Sequence, residues 1–165
     1  ALINKIFAAD YLNIGAAVSP LNAFLFLRGL RTFELRVERS CNSAARMVAH
    51  FENHPAILKM YYPFSKSFPQ LELAKKQMKK GGGMFSMAIN AKTPDQVETF
   101  CNSLSRFLMA VSWGGHESLA FPVCASIPKE NFDPNNTDHK LVRFYIGLED
   151  PEVLIQDIEN ALKKI

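Results

Sequence analysis

Ala110 to Leu119 reads Ala-Val-Ser-Trp-Gly-Gly-His-Glu-Ser-Leu and gathers polar chemistry directly behind an apolar run, Phe107 to Val111. Ser112 offers a hydroxyl, Trp113 is the chain's single tryptophan, and two glycines, the His116 imidazole and the Glu117 carboxylate follow. Sites are commonly built on loops of this kind, because a rigid scaffold beneath can hold them still. The second feature is Leu141-Val142-Arg143-Phe144-Tyr145-Ile146, an apolar strand with one arginine inside it. Strand alternation sets Leu141, Arg143 and Tyr145 on one face and Val142, Phe144 and Ile146 on the other. A guanidinium cannot be neutralised, so in apolar surroundings it needs a partner. Spacing leaves two readings open. One is a structural ion pair, although the nearest acids in sequence, Glu149 and Asp150, lie beyond the strand. The other is an anion supplied from outside, and a carboxylate or phosphate would suit the planar fork bidentately. The two segments are expected to face each other.

Other chemistries find less support. A nucleophilic Ser112 would need an adjacent base, and neither an HxxxS spacing nor a G-x-S-x-G elbow is present. His116 and Glu117 are sequence neighbours, which does not make a catalytic pair, and a histidine after a glycine turn reads as solvent-facing or structural. His50, His54, His116 and His139 show no metal-ligand spacing, so no metal is expected. Cys41, Cys101 and Cys124 are odd in number and far apart, with no CxxC, as in the reduced thiols of a cytosolic protein. Gly81-Gly82-Gly83 lacks the preceding strand and the following Lys-Ser/Thr of a phosphate loop and reads as a tight turn.

These residues need a scaffold, and 165 residues with 48% apolar and 21% charged can build one without disulfides or metals. A net charge of +3 is too small to imply nucleic acid. Lys75, Lys76, Lys79 and Lys80 read as the solvated face and end of a helix. No run approaches ~18 apolar residues, so no membrane span is expected, nor is a secretory signal. Residues 1–14 begin in a helical pattern without a start signal, and Gly15 to Ser19 reads as loop. Ser19-Pro20 opens a long helical stretch, interrupted or bent near Gly29 and ended by His54-Pro55. Ile57 to Tyr62 is a strand, Leu71 to Met78 a helix, and Met84 to Ile89 a strand. Thr93-Pro94-Asp95-Gln96 is a capping box that starts a helix with Val97, Phe100, Cys101 and Leu104 inward, which makes Cys101 a core residue. Phe107 to Val111 is a strand, residues 120–140 are irregular, and Leu141 to Leu148 is the last strand. Asp150-Pro151 caps a final helix with Leu154, Ile158, Ala161 and Ile165 on its buried face. Strands interleaved with helices predict an α/β (α+β) two-layer sandwich, with four to five strands in a mixed, mainly antiparallel sheet after a long helix.

Beyond these physical readings, the segment from Ser19 to Thr32 resembles the "SPxxAxLxLRGLxT" segment of the cysteine/methionine-metabolism family of pyridoxal-phosphate enzymes. Leu35 to Arg39, Tyr61-Tyr62-Pro63, Phe68 to Met78 and Gly82-Gly83-Met84 continue the likeness. Ala110 to Leu119 resembles "AxSxGGxESL", and Leu141 onward resembles "LxRxSxGxEDxxDLxxDLxxAL". The family includes cystathionine β-lyase, cystathionine γ-synthase, cystathionine γ-lyase and methionine γ-lyase.

The resemblance covers the C-terminal part of such enzymes. It implies that residues 1–30 end the cofactor-binding large domain and start the connecting helix, and that 31–165 are the C-terminal small domain of a fold-type I enzyme. The family's Schiff-base lysine lies in a Ser-x-Thr-Lys context that no lysine here has, and its phosphate-binding segments are absent. The chain alone is therefore expected to be inactive and to hold no cofactor. Arg143 matches the arginine that binds the substrate α-carboxylate. Ser112 matches the serine that positions the catalytic lysine, an indirect cofactor contact, and Trp113 borders the carboxylate. Val111 matches a position where cystathionine γ-lyase has glutamate, bacterial cystathionine β-lyase tyrosine and methionine γ-lyase valine. The Ser-Trp-Gly-Gly run is instead similar to bacterial cystathionine β-lyase, so the two hints point different ways. Pro122 to Lys129 departs from the family's "PaxMTH".

The implied function is lyase or transferase chemistry of transsulfuration and methionine biosynthesis, with pyridoxal phosphate as electron sink. The implied substrates are cystathionine, methionine or an O-acylhomoserine, in a cytoplasmic enzyme that is a homotetramer when whole. A reading from another class is a stand-alone α/β amino-acid-binding or interaction domain without catalysis.

Overall fold

The computed structural model describes residues 2–15 and 17–165, which divide into two units, one ending at Glu34 and one from Leu35 to Ile165. In the first unit, α1 (Leu2–Lys5), a π-helical stretch (Ile6–Tyr11) and α2 (Leu12–Ile14) follow one another and stop at Gly15, whose φ is +67°. Ser19 Oγ accepts from the Asn22 amide at 3.2 Å and, with Pro20 at the first position, opens α3 (Pro20–Leu30). No described residue of α1 to α3 is buried, and Leu21, Phe24, Phe26 and Leu27 are each more than half exposed. The long helical stretch is interrupted close to Gly29, as expected: α4 (Phe33–Phe51) begins after a turn at Arg31–Thr32.

The second unit is built on a five-stranded sheet of β1 (Ile57–Tyr61), β2 (Met84–Ile89), β3 (Leu108–Met109), β4 (Leu119–Pro122) and β5 (Leu141–Tyr145). Their order is β1-β2-β5-β4-β3, antiparallel throughout except for the parallel β3/β4 edge. The other elements are α4, α5 (Leu71–Gln77), α6 (Pro94–Ser103) and α7 (Pro151–Leu162). Phe85, Met87, Val142, Phe144 and Ala120 line one sheet face and share a core with Met47 and Phe51 of α4, Val97 and Phe100 of α6, and Leu154 and Ile158 of α7. Phe144 sits at its centre, with ring centroids of Phe107 at 5.2 Å, Phe85 at 5.4 Å and Phe100 at 6.5 Å. Burying each such side chain contributes about 1.5–3 kcal/mol, more than any single surface contact, so this one face fixes the fold. The two-layer mixed sheet is the architecture expected from the sequence.

Caps behave as their sequences suggest, with one difference. Thr93 Oγ1 accepts from the Gln96 amide at 3.2 Å, but Gln96 Oε1 accepts from the Lys92 amide at 2.6 Å rather than from Thr93 itself. Asp150 Oδ1 accepts from the Glu152 amide at 2.8 Å at the start of α7. Two other expectations change. Residues 120–140 are not wholly irregular, because Leu119–Pro122 is β4, a short strand ending in proline next to the sheet edge strand β3. Gly81 and Gly83 do not serve a left-handed turn, since positive φ occurs only at Gly15 and Gly114 among the described residues. They permit close approach: a Cβ on Gly81 would lie 2.3 Å from Tyr62 Cζ, and one on Gly83 would meet Ser40 Oγ.

Candidate functional site

The sheet face away from the core holds the arginine. Leu141, Arg143 and Tyr145 alternate with the buried Val142 and Phe144, as expected. The register sets Arg143 opposite Ser86 on one side and Phe121 on the other, with Tyr61 opposite Ser86 one strand further. One row thus runs Tyr61, Ser86, Arg143, Phe121 across four strands. The guanidinium carbon lies 5.8 Å from the Phe121 ring centroid, within range of a cation–π contact.

Arg143 Nη2 donates to the carbonyls of Val111 and Ser112, the latter at 3.3 Å, with that of Ala110 at 3.5 Å. The arginine and the Ala110–Leu119 loop therefore face each other, as the sequence suggested. The ion-pair reading is corrected: no carboxylate pairs with Arg143 among the described residues, and its Nε is buried without a partner. Glu149, the nearest acid in sequence, is committed elsewhere. Its Oε1 accepts from the Ser118 amide at 2.8 Å and its Oε2 from the Ser118 hydroxyl at 2.7 Å.

The rest of the loop is held by β5 and the residues after it. Tyr145 OH donates to the Gly115 carbonyl at 3.0 Å, and the Leu148 amide to the His116 carbonyl at 2.8 Å. Ser118 is fully buried and also accepts from the Gly147 amide at 2.9 Å. Gly147 is required here, because a Cβ would lie 2.1 Å from the His116 carbonyl oxygen. Between these supports the chain arches outward through Ser112, Trp113 and Gly114, with Gly114 at φ +88°. Ser112 is exposed, Val111 is 62% exposed and Trp113 67% exposed. His116 has a side chain 84% exposed, with Nδ1 3.1 Å from Glu117 Oε2.

Sequence reasoning singles out Arg143, Ser112, Trp113 and Val111 but not Tyr145, Ser118, Gly147 or Glu149 as supports. Tyr145's placement on the arginine's face is the available signal. Cys101 is buried, and burial together with the nearby Cys124 pushes its thiol up to about 12, as befits a core residue.

The family model described as Cys/Met metabolism PLP-dependent enzyme matches residues 3–163. The chain belongs to this family. Cystathionine gamma-lyase of Sus scrofa is 37% identical over 155 residues, which cover 92% of this chain and 38% of that protein. L-methionine gamma-lyase of Fusobacterium nucleatum subsp. polymorphum is also 37% identical, over 92% of this chain and 39% of its own length. Cystathionine beta-lyase of Lactococcus lactis subsp. cremoris is 38% identical, covering 92% and 40%. The crystal structure of cystathionine gamma-lyase from Lactobacillus plantarum complexed with L-serine superposes with a TM-score of 0.78 at 30% identity, over 93% of this chain and 41% of that one. This chain thus spans about two fifths of the length of these relatives.

Family membership implies pyridoxal phosphate for the full-length enzyme. The residues of this chain do not by themselves fit its phosphate end: in the glycine run, Gly81 is closed by Tyr62 and Gly83 by Ser40, which leaves only Gly82 open. What the chain does offer is a cation held by backbone carbonyls, with no carboxylate partner among the described residues, beside an exposed serine.

Proposed function

We propose that this chain is the C-terminal part of a pyridoxal-phosphate-dependent lyase or transferase of sulfur amino acids, and that it supplies the site for the substrate α-carboxylate. The carrying observation is Arg143, anchored through Nη2 to the Val111 and Ser112 carbonyls, with a buried Nε left over. Carbonyl oxygens orient a guanidinium without cancelling its charge, so a substrate carboxylate supplies the counter-charge that no described side chain provides. Holding that carboxylate fixes the direction of the substrate's Cα–H bond, and orientation of this kind accelerates proton removal. Pyridoxal phosphate, when bound to the whole enzyme, supplies the electron sink for that step. Ser112, exposed at the same corner, is suited to hold the amine that removes the proton. Trp113 borders the carboxylate, and Val111 stands at the position where relatives of different substrate preference differ. The L-serine complexed with the Lactobacillus plantarum cystathionine gamma-lyase is an amino acid and carries an α-carboxylate of this kind. With no lysine in a Ser-x-Thr-Lys context, this chain by itself is inactive.

The test is Arg143→Ala in the full-length enzyme, assayed with cystathionine, with methionine, and with O-succinylhomoserine plus cysteine. Whichever is turned over names the substrate. Its KM is expected to rise by roughly ten- to a hundredfold, the loss of a charge-assisted hydrogen-bonded contact, while cofactor absorbance stays in place. A variant that loses its cofactor yet keeps its substrate affinity would overturn the assignment.

A further inference from the structure

Arg143 is not the only side chain of β5 that reaches the loop. Tyr145, two residues on and on the same face, is 8% exposed, and its hydroxyl donates to the Gly115 carbonyl at 3.0 Å. The two contacts bracket the arch: Arg143 holds its entry at Val111 and Ser112, and Tyr145 its exit at Gly115. Between them lie Trp113, two-thirds exposed, and Gly114 at a positive φ. The strand pattern that this segment resembles has serine where Tyr145 stands, and a serine hydroxyl is too short to span the gap.

We infer that Tyr145 is a positioning residue for the candidate site: its hydroxyl fixes the Ser112–Gly115 arch and thereby aims the Arg143 guanidinium. Arg143 spends Nη2 on carbonyls of the arch, so the guanidinium moves when the arch moves. Only a fixed arch holds the guanidinium in one orientation, and preorganised donors bind more tightly than mobile ones. The inference rests on the carboxylate-site reading of Arg143. It adds that the reach of the tyrosine, rather than the arginine alone, sets substrate affinity in this chain.

The experiment compares Tyr145→Phe, Tyr145→Ser and Arg143→Ala in the full-length enzyme, with thermal unfolding as the check on folding. Tyr145→Phe removes one hydroxyl and keeps the buried ring. It is expected to raise KM about two- to tenfold with kcat nearly unchanged, the range of one net hydrogen bond. Because Trp113 is the chain's only tryptophan and stands on the arch, selective labelling with 5-fluorotryptophan gives a readout apart from activity, even where other tryptophans occur in the whole enzyme. Its fluorine resonance, assigned through Trp113→Phe, should narrow or split as the arch loosens, in Tyr145→Phe and in Tyr145→Ser alike. If the resonance and KM are both unchanged in Tyr145→Phe, the inference is wrong. It is equally wrong if the arch loosens but KM holds while Arg143→Ala still raises KM, and that result leaves the carboxylate site standing. If Arg143→Ala itself leaves KM unchanged, the reading beneath fails and this one with it.

Discussion

Ser118 shows how much a single small side chain can hold together. Its hydroxyl donates to Glu149 Oε2 and accepts from the Gly147 amide, while its amide donates to Glu149 Oε1. All of this is inside the protein, where Ser118 has no exposed surface. Removing the hydroxyl strips one donor from a carboxylate and leaves a buried amide without its acceptor, and an unsatisfied buried group costs about 1–3 kcal/mol. Ser118→Ala is therefore expected to lower unfolding free energy by that amount in urea titrations, with the m-value unchanged. A surface serine would change by well under half of that, so a loss below about 0.5 kcal/mol would place Ser118 outside the brace. None of these partners is close in sequence. Ser118 and Glu149 are both ordinary as letters, and only the pairing of β4 against β5 brings them together. Arg143 is different, because a charge inside an apolar strand is conspicuous without any fold. What the residue types do not tell is which oxygens it meets, and these turn out to be backbone carbonyls that no sequence spacing reveals.

At the scale of elements, legibility follows how local the determining contacts are. The helix starts at Ser19, Thr93 and Asp150 are readable because each cap bonds an amide two or three residues on. The apolar faces of α4, α6 and α7 are readable from their 3.6-residue spacing, and they are the faces that are buried. β4 escapes the sequence because four residues ending in proline carry no alternation to count, and its partners lie eleven or more residues away. The glycines at 81 and 83 look like a turn in sequence because close approach by Tyr62 and Ser40 belongs to tertiary structure. One junction between elements also titrates. At the end of α4, Glu52 Oε1 accepts from the Ser65 hydroxyl at 2.5 Å and the Ser67 amide at 3.1 Å, tying down the loop after β1. The Ser65 hydrogen bond is the largest cause holding the Glu52 carboxyl below its ordinary value, and burial opposes it in part. A carboxyl with a depressed folded-state value adds stability above the ordinary glutamate value of about 4.3 and loses it as pH falls through the folded-state value. Glu52→Gln should thus be less stable than the native chain at pH 6, with the gap closing as pH is lowered below about 4. Chemical denaturation of both proteins across that range checks it, and a gap independent of pH would mean that the ionised carboxylate adds nothing.

The whole molecule is uneven in where its stabilising contacts lie. Every member of the buried core cluster falls between Ala44 and Leu162, inside the second unit. In the first unit, α1 to α3 bury no described residue and leave Ile3, Phe7, Leu12, Phe24 and Phe26 at least 60% exposed. Short helices in water are marginal without a packed face, and the core cluster of the unit that holds the arginine has no member before Ala44. A polypeptide of residues 35–165 is expected to unfold in one cooperative step, with a midpoint within about 5 °C of the 165-residue chain, a difference of roughly 1 kcal/mol or less. Near- and far-ultraviolet circular dichroism should report the same midpoint for it. The shorter polypeptide should also bind less of a hydrophobic dye, because the exposed apolar side chains before Leu35 are gone. A midpoint lowered by 10 °C or more, on the order of 2 kcal/mol, would show that the first 34 residues stabilise the sheet domain and that its core is not self-sufficient.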